Sequence, residues 1–195
     1  AAVLTERGYV RWLVGHLLGP KLKPGTNLYD AAKHGQPVAA CWAPSNSELF
    51  IGTRLGRGVR FSSRQLPLQS CALGIRLEPG DKAVGIAAID DSSQVLLMTA
   101  DGKGSLYAMT GFRANKSLGI AGKIAIKTDR LIGALSAPED HDVFVISRLG
   151  KIIRFPANEI PTKTAPVQGV NCMALRADQC TAATTSPAPA VDLTE

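Results

Sequence analysis

Aromatic residues are scarce in this sequence: Phe, Tyr and Trp make up 5% of 195 residues. Long apolar runs are missing too. No stretch approaches the roughly 20 residues that a membrane-crossing helix needs, so no membrane is expected as a partner. The N-terminus lacks the basic-then-apolar order of a secretory signal. It opens with AAVLTERGYV, already strand-like, as though the chain were cut from something larger or processed. The four cysteines, Cys41, Cys71, Cys172 and Cys180, form no CxxC pair, and nothing resembles the converging thiolates or imidazoles that zinc requires. No metal or other cofactor is therefore expected. Counting leaves a disulfide framework open, but two of the cysteines lie in apolar runs, which suits buried free thiols in a reducing cytoplasm.

Catalytic groupings are absent as well. His16, His34 and His141 are isolated, and His141 stands between Asp140 and Asp142 in a turn-like stretch. A nucleophile needs an organised base, and no combination here supplies one. Asp90, Asp91 and Asp129 lack calcium-loop spacing. The chain alone is expected to catalyse nothing.

What is present is glycine, proline and positive charge. Gly 19 and Pro 12 alongside 45% hydrophobic residues favour many short strands joined by turns over a helical bundle. Lys and Arg number 22 against 16 acids, a formal charge of +6. The last fifteen residues carry two acids and no base, which leaves +8 on the rest. Such an excess points to an anionic partner, nucleic acid before a membrane surface, and is also met on soluble proteins with a merely basic surface.

Four segments line up: VLTERGYVRW, FIGTRLGRGVRF, LLMTADGKGSLY and FVISRLGKIIRF. Their shared glycines are Gly8, Gly56, Gly102 and Gly150, spaced by 48, 46 and 48 residues. Three residues before each stands a small hydroxyl residue, Thr5, Thr53, Thr99 or Ser147. A second, apolar feature (VAACWA, VGIAAI, IGALSA, CTAATT) keeps the same period. Between the two lies one more strand-like stretch, such as LGIRL at 73–77 or GKIAIK at 122–127. The unit is then about four short strands: a and b around the glycine, c in the middle, d at the end.

Four-stranded units at this period predict an all-β, propeller-like array of about four visible four-stranded blades, since one small sheet cannot bury its faces alone. The repeats run over 1–44, 45–90, 91–137 and 138–185, with 186–195 a disordered Pro/Ala/Thr-rich tail. Four units are few for a ring, so an open or incompletely closed one is anticipated. A coincidental repeat within an ordinary sandwich is the alternative.

The stretch GRGVRF at 56–61 reads as a hairpin turn, because it lacks the lysine and hydroxyl that complete a phosphate-binding loop. Basic residues recur around these turns. Arg57, Lys103 and Lys151 follow the glycine, and Arg7, Arg54 and Arg148 precede it. On strand b, alternation sends Val59 and Phe61 to the core and Arg60 to solvent, with Arg11 and Arg154 placed likewise. The third repeat has Leu106 instead, but adds Arg113, Lys116, Lys123 and Lys127. Recurring at one register, these cations would form a curved positive band suited to a bent phosphate backbone.

The stretches LTERGYVRWL, GTRLGRGVRF and ISRLGKIIRFPANEIP, with GIRLEPGDKAVGIAAI at 74–89, resemble the blade repeats of the C-terminal domain of the A-type chain of bacterial type IIA topoisomerases, gyrase and topoisomerase IV. The resemblance spans roughly residues 3–185. It implies a β-pinwheel, in which neighbouring blades exchange strands, and a non-catalytic domain that binds and bends or wraps duplex DNA around a basic outer rim. As partners it further implies the N-terminal breakage-reunion portion of the same subunit, with the ATPase-bearing B-type subunit of the holoenzyme. The setting implied is cytoplasmic and nucleoid-associated. Arg11, Arg57, Arg60, Lys103, Lys151 and Arg154 match the family's basic blade positions. Two departures favour a topoisomerase IV-like or degenerate domain: GHLLGPKLKPGTN at 15–27 lacks gyrase's glycine-rich basic box, and four blades are visible where six are usual. The competing class is a propeller scaffold that binds protein, its charge incidental.

Overall fold

The computed structural model describes residues 1–20 and 22–187. Its strands are β1 (Ala2–Thr5), β2 (Tyr9–Trp12), β3 (Pro37–Cys41), β4 (Glu48–Thr53), β5 (Arg57–Ser62) and β6 (Cys71–Leu73). Next come β7 (Ile75–Arg76), β8 (Ala83–Ile89), β9 (Gln94–Thr99), β10 (Lys103–Ala108), β11 (Ile120–Ala121) and β12 (Lys123–Ile124). The last are β13 (Leu131–Ser136), β14 (His141–Ser147), β15 (Ile152–Pro156), β16 (Thr162–Lys163), β17 (Val170–Asn171) and β18 (Cys180–Pro187). Helix is confined to single turns, one of them α1 (Ala31–His34), whose first turn is capped by the Asp30 carboxylate accepting from the Lys33 amide.

Each repeat begins with a hairpin built the same way. The glycine N–H donates to the carbonyl of the hydroxyl residue three positions earlier, as in Gly56 to Thr53 at 2.9 Å. The buried hydroxyl then accepts the next amide: Tyr9 to Thr5, Arg57 to Thr53, Lys103 to Thr99 and Lys151 to Ser147, at 3.1–3.3 Å. All four glycines have φ between +73° and +86°, the left-handed region that side chains avoid.

These hairpins organise four propeller-like sheets. In each, the fourth strand of the repeat pairs with the first: β3 with β1, β8 with β4, β13 with β9 and β18 with β14. The outer edge of three sheets is closed by a strand from the following repeat. Strand β6 covers β2, β12 covers β5, and β16 and β17 cover β10. Strand exchange thus links the repeats.

Three apolar cores lie between successive sheets, and neighbouring residues of one strand feed different cores. Leu49 and Ile51 enter the first, while Phe50 between them enters the second. Val95 and Leu97 enter the second, and Leu96 and Met98 the third. The middle sheets are therefore buried on both faces, which is why β4 and β9 carry unbroken apolar runs rather than alternation. No fourth core joins the last sheet to the first among the described residues, so the array is open.

Strand β18 runs two residues into the expected tail, pairing Ser186 with Asp142 and Pro187 with His141. The rest of that tail, 188–195, lies outside the described residues, as does Lys21. Cys41, Cys71 and Cys172 are half-buried free thiols and Cys180 is buried. Burial pushes the Cys41 and Cys172 thiols up to about 11.

Candidate nucleic-acid interface

The hairpin turns of successive sheets meet at one end of the array. Backbone bonds join them: the Ala83 amide donates to the Glu6 carbonyl, Leu131 to Arg54 and Cys180 to Ala100, at 2.8–3.0 Å. Within each repeat the residue before strand d also accepts from the turn, as Lys82 does from Arg54 and Arg130 from Ala100. This ladder sets Arg54, Lys82, Arg130 and Arg148 along a single end of the molecule. The connections that lead into the next hairpin, carrying Asp90, Asp91, Glu139 and Asp140, lie at the opposite end of the strands, as does Glu48 at the start of β4. The turn end carries acids as well, Glu6, Asp81, Asp101 and Asp178 among them, each bonded to a turn amide, hydroxyl or lysine.

At the turn end, Arg57 is partly exposed, donates to the Gly122 carbonyl at 2.9 Å and stands 3.7 Å from Glu78. Lys103 is half-exposed beside Asp101 at 3.1 Å. The Thr99 hydroxyl bond to Asp101, reinforced by Lys103, holds that carboxyl below its usual range. Lys151 and Arg148 are exposed. Arg54 is exposed and donates to the Gly80 carbonyl. Arg7, also exposed, donates to the Ala32 and Lys33 carbonyls at 3.1 and 3.2 Å. Arg113, Lys116 and Lys123 are exposed on the segments that run from strand b to strand c along the outer edge. Lys123 itself sits in β12, opposite Gly58.

Two of the expected residues, Arg60 and Arg11, are buried where alternation placed them facing solvent. Arg60 does not face solvent: it is 4% exposed. Its guanidinium reaches Glu48 at 2.6 Å, Asp91 at 2.5 Å, and the Met109 and Phe112 carbonyls of the next repeat at 2.6 and 3.1 Å. The alternation argument assumed a free outer face, and the third sheet occupies it. Arg11 is likewise buried, donating to the Leu28, Trp12 and Leu68 carbonyls at 2.8–3.0 Å. It is also not the equivalent of Arg60. Arg11 pairs with Val3 as Val59 pairs with Ile51, so Trp12 takes the Arg60 position. A slip of one residue sends a side chain to the other face.

Arg154 does occupy the Arg60 position. It is exposed, bonded to Asp142 at 2.7 Å, with its guanidinium carbon 5.9 Å from the Phe144 ring centre. The structure adds exposed cations that the turn motif did not single out: Lys82 and Arg130, each just before a strand d, and Arg76 in β7, opposite Ala121 of β11. The signal for Lys82 and Arg130 was positional, one residue ahead of the apolar d run of the two middle repeats, where the outer two carry Gln36 and Gln179.

Comparison with known proteins agrees with this architecture. The family described as "DNA gyrase C-terminal domain, beta-propeller" matches residues 47–90 and 141–179, the second and fourth repeats. The A-type DNA gyrase chain of Haloquadratum walsbyi is 31% identical over 157 residues, 75% of this chain and 18% of the relative. The chain spans about a fifth of the length of the A-type gyrase chains it matches. In fold it is similar to a DNA gyrase A C-terminal domain, with TM-score 0.77 and 15% identity over 94% of this chain and 64% of the other. It is similar also to the C-terminal domain of a DNA topoisomerase IV, with TM-score 0.76 and 14% identity over 95% and 61%. With hairpin, strand exchange and sequence in accord, the chain belongs to the C-terminal β-pinwheel domains of type IIA topoisomerase A-type subunits.

Proposed function

We propose that this domain binds duplex DNA and bends or wraps it along its basic outer edge, presenting it for ATP-dependent strand passage. The observation that carries the reading is the ladder of joined turns. It brings Arg54, Arg57, Lys103, Arg148 and Lys151 to one end of an open, curved array, with acidic connections at the other. Arg113, Lys116 and Lys123 extend that surface along the edge.

Cations in this arrangement recognise phosphates rather than bases, so affinity is largely independent of sequence and falls steeply with salt. Arg11 and Arg60 serve the same surface indirectly, by fixing the loops and the neighbouring sheet that shape it. Arg154 and Arg7 lie at its margins. This role requires as partners the N-terminal breakage-reunion portion of the same polypeptide, with the ATPase-bearing B-type subunit of the holoenzyme, in a cytoplasmic, nucleoid-associated setting.

A topology assay tests the proposal. The domain is bound to relaxed circular DNA, the DNA is relaxed again and sealed, and the linking number is read. A shift that grows with protein supports bending or wrapping; unchanged topology at saturation contradicts it. Failure to bind duplex DNA even at low salt would favour the protein-binding scaffold.

A further inference from the structure

Three of the four turn glycines hold the next repeat in place, and the fourth holds nothing among the described residues. The Gly8 carbonyl accepts the amides of Gly74 and Ile75 at 2.9 and 3.3 Å. The Gly56 carbonyl accepts Ala125 and Ile126 at 2.8 and 3.1 Å, and that of Gly102 accepts Cys172 and Met173 at 2.9 and 3.1 Å. Each donor pair is a small residue followed by a large aliphatic one, and Ile75, Ile126 and Met173 are all buried. Just before each pair, the covering strand runs antiparallel to the two residues that follow the glycine. Tyr9 and Val10 face Leu73 and Ala72; Arg57 and Gly58 face Ile124 and Lys123; Lys103 and Gly104 face Asn171 and Val170.

Gly150 has the same turn and φ of +81°, yet among the described residues no amide reaches its carbonyl. A Cβ on Gly8 would stand 2.5 Å from the Ile75 carbonyl oxygen, whereas one on Gly150 would meet nothing within 4 Å. The matching edge residues are Lys151 and Ile152. Ile152 is 65% exposed, as is Leu149 beside it. Next to this edge lies a cavity of about 260 Å³ lined by polar Arg154, Glu159 and Asn171 as well as apolar Ile153, Phe155 and Ile160. In the third sheet the corresponding edge is covered by β16 and β17.

We propose that the edge of β15 left uncovered among the described residues, with the Gly150 carbonyl at its head, is a strand-accepting site. Its occupant is an extended segment carrying a small residue followed by a large aliphatic one, added antiparallel to Lys151 and Ile152. The three covered sheets specify this occupant: its hydrogen-bond partners, its direction and its residue sizes. An exposed apolar edge strand is otherwise a liability that folds tend to bury or charge, and strand addition is a known mode of peptide capture.

A synthetic peptide with the sequence of residues 118–128, LGIAGKIAIKT, which covers β5 in the chain itself, is the probe. Added to the whole isotope-labelled chain, it should shift the amide signals of Gly150, Lys151 and Ile152 and protect them from exchange. A peptide carrying Ile126→Asp should do neither. The protein variant Gly150→Asn keeps its fold, since asparagine tolerates the left-handed region, but its side chain obstructs the incoming strand and the shifts are lost. Peptide that shifts Gly8, Gly56 or Gly102 instead, or nothing at millimolar concentration, overturns the proposal. So does equal binding by the Ile126→Asp peptide. Concentration-dependent shifts of the same amides without peptide would make a second copy the occupant and overturn the choice made here.

Discussion

Arg60 and Arg154 stand at the same register of their sheets, opposite Phe50 and Phe144, and only Arg60 is enclosed. Each is paired to an acid on the neighbouring strand, Glu48 or Asp142. The difference lies in what comes next. The third sheet closes over Arg60 and offers it the Met109 and Phe112 carbonyls, whereas the fourth sheet is the last described and leaves Arg154 open.

The two arginines should therefore respond differently to truncation. Arg60→Ala leaves the Met109 and Phe112 carbonyls unpaired in a closed interface and the partly exposed Glu48 without its cation, which should cost about 2 kcal/mol or more in denaturant unfolding. Arg154→Ala removes a pair that water already screens and should cost under about 1 kcal/mol. Equal effects would contradict the enclosure of Arg60.

The turn glycines give a second contrast. At Gly56, with φ of +73°, a Cβ would collide with the Ile126 carbonyl oxygen, which belongs to the next repeat's covering segment. Gly56→Ala should cost more than the roughly 1 kcal/mol expected from backbone conformation alone, and amide exchange should show Ala125 and Ile126 opening first. Loss confined to the turn itself would argue that the covering segment does not depend on it.

The repeat was legible because its turn chemistry is strict: a hydroxyl residue, two variable positions and a glycine recur where the backbone needs an acceptor and a positive φ. Which sheet each middle strand joins was not legible from spacing. The covering stretches ending at Ile75, Ile126 and Met173 share only a small-then-aliphatic pair, too little to name a partner. The arginines misled for two physical reasons. Alternation presumes one wet face, and the second sheet has none at Arg60. Arg11 follows its glycine by three residues where Arg60 follows by four, so the two sit on opposite faces.

Acid should loosen the turn end. Hydrogen bonds from the Lys82 ammonium hold the Glu6 carboxyl below its usual value, and the Thr99 and Ser147 hydroxyls do the same for Asp101 and Asp178. A carboxyl depressed in the folded state stabilises fully above its unfolded pKa of about 4, and that contribution disappears as pH falls through the folded value. Thermal unfolding should thus shift to lower temperature below about pH 4, and Asp101→Asn should flatten part of that dependence. A melting temperature independent of pH between about 5 and 2.5 would contradict these assignments.

The central claim, that cations on one outer surface grip the phosphates of a duplex, is met most directly by a salt series of binding to random-sequence DNA. The chain is compared with a variant carrying Arg57→Ala, Lys103→Ala and Lys151→Ala. If each side chain displaces one counterion, the slope of log affinity against log salt should become shallower by roughly 2.7, about 0.9 per contact, with no change in sequence preference. An unchanged slope in a folded variant would place the DNA elsewhere or remove it from the account.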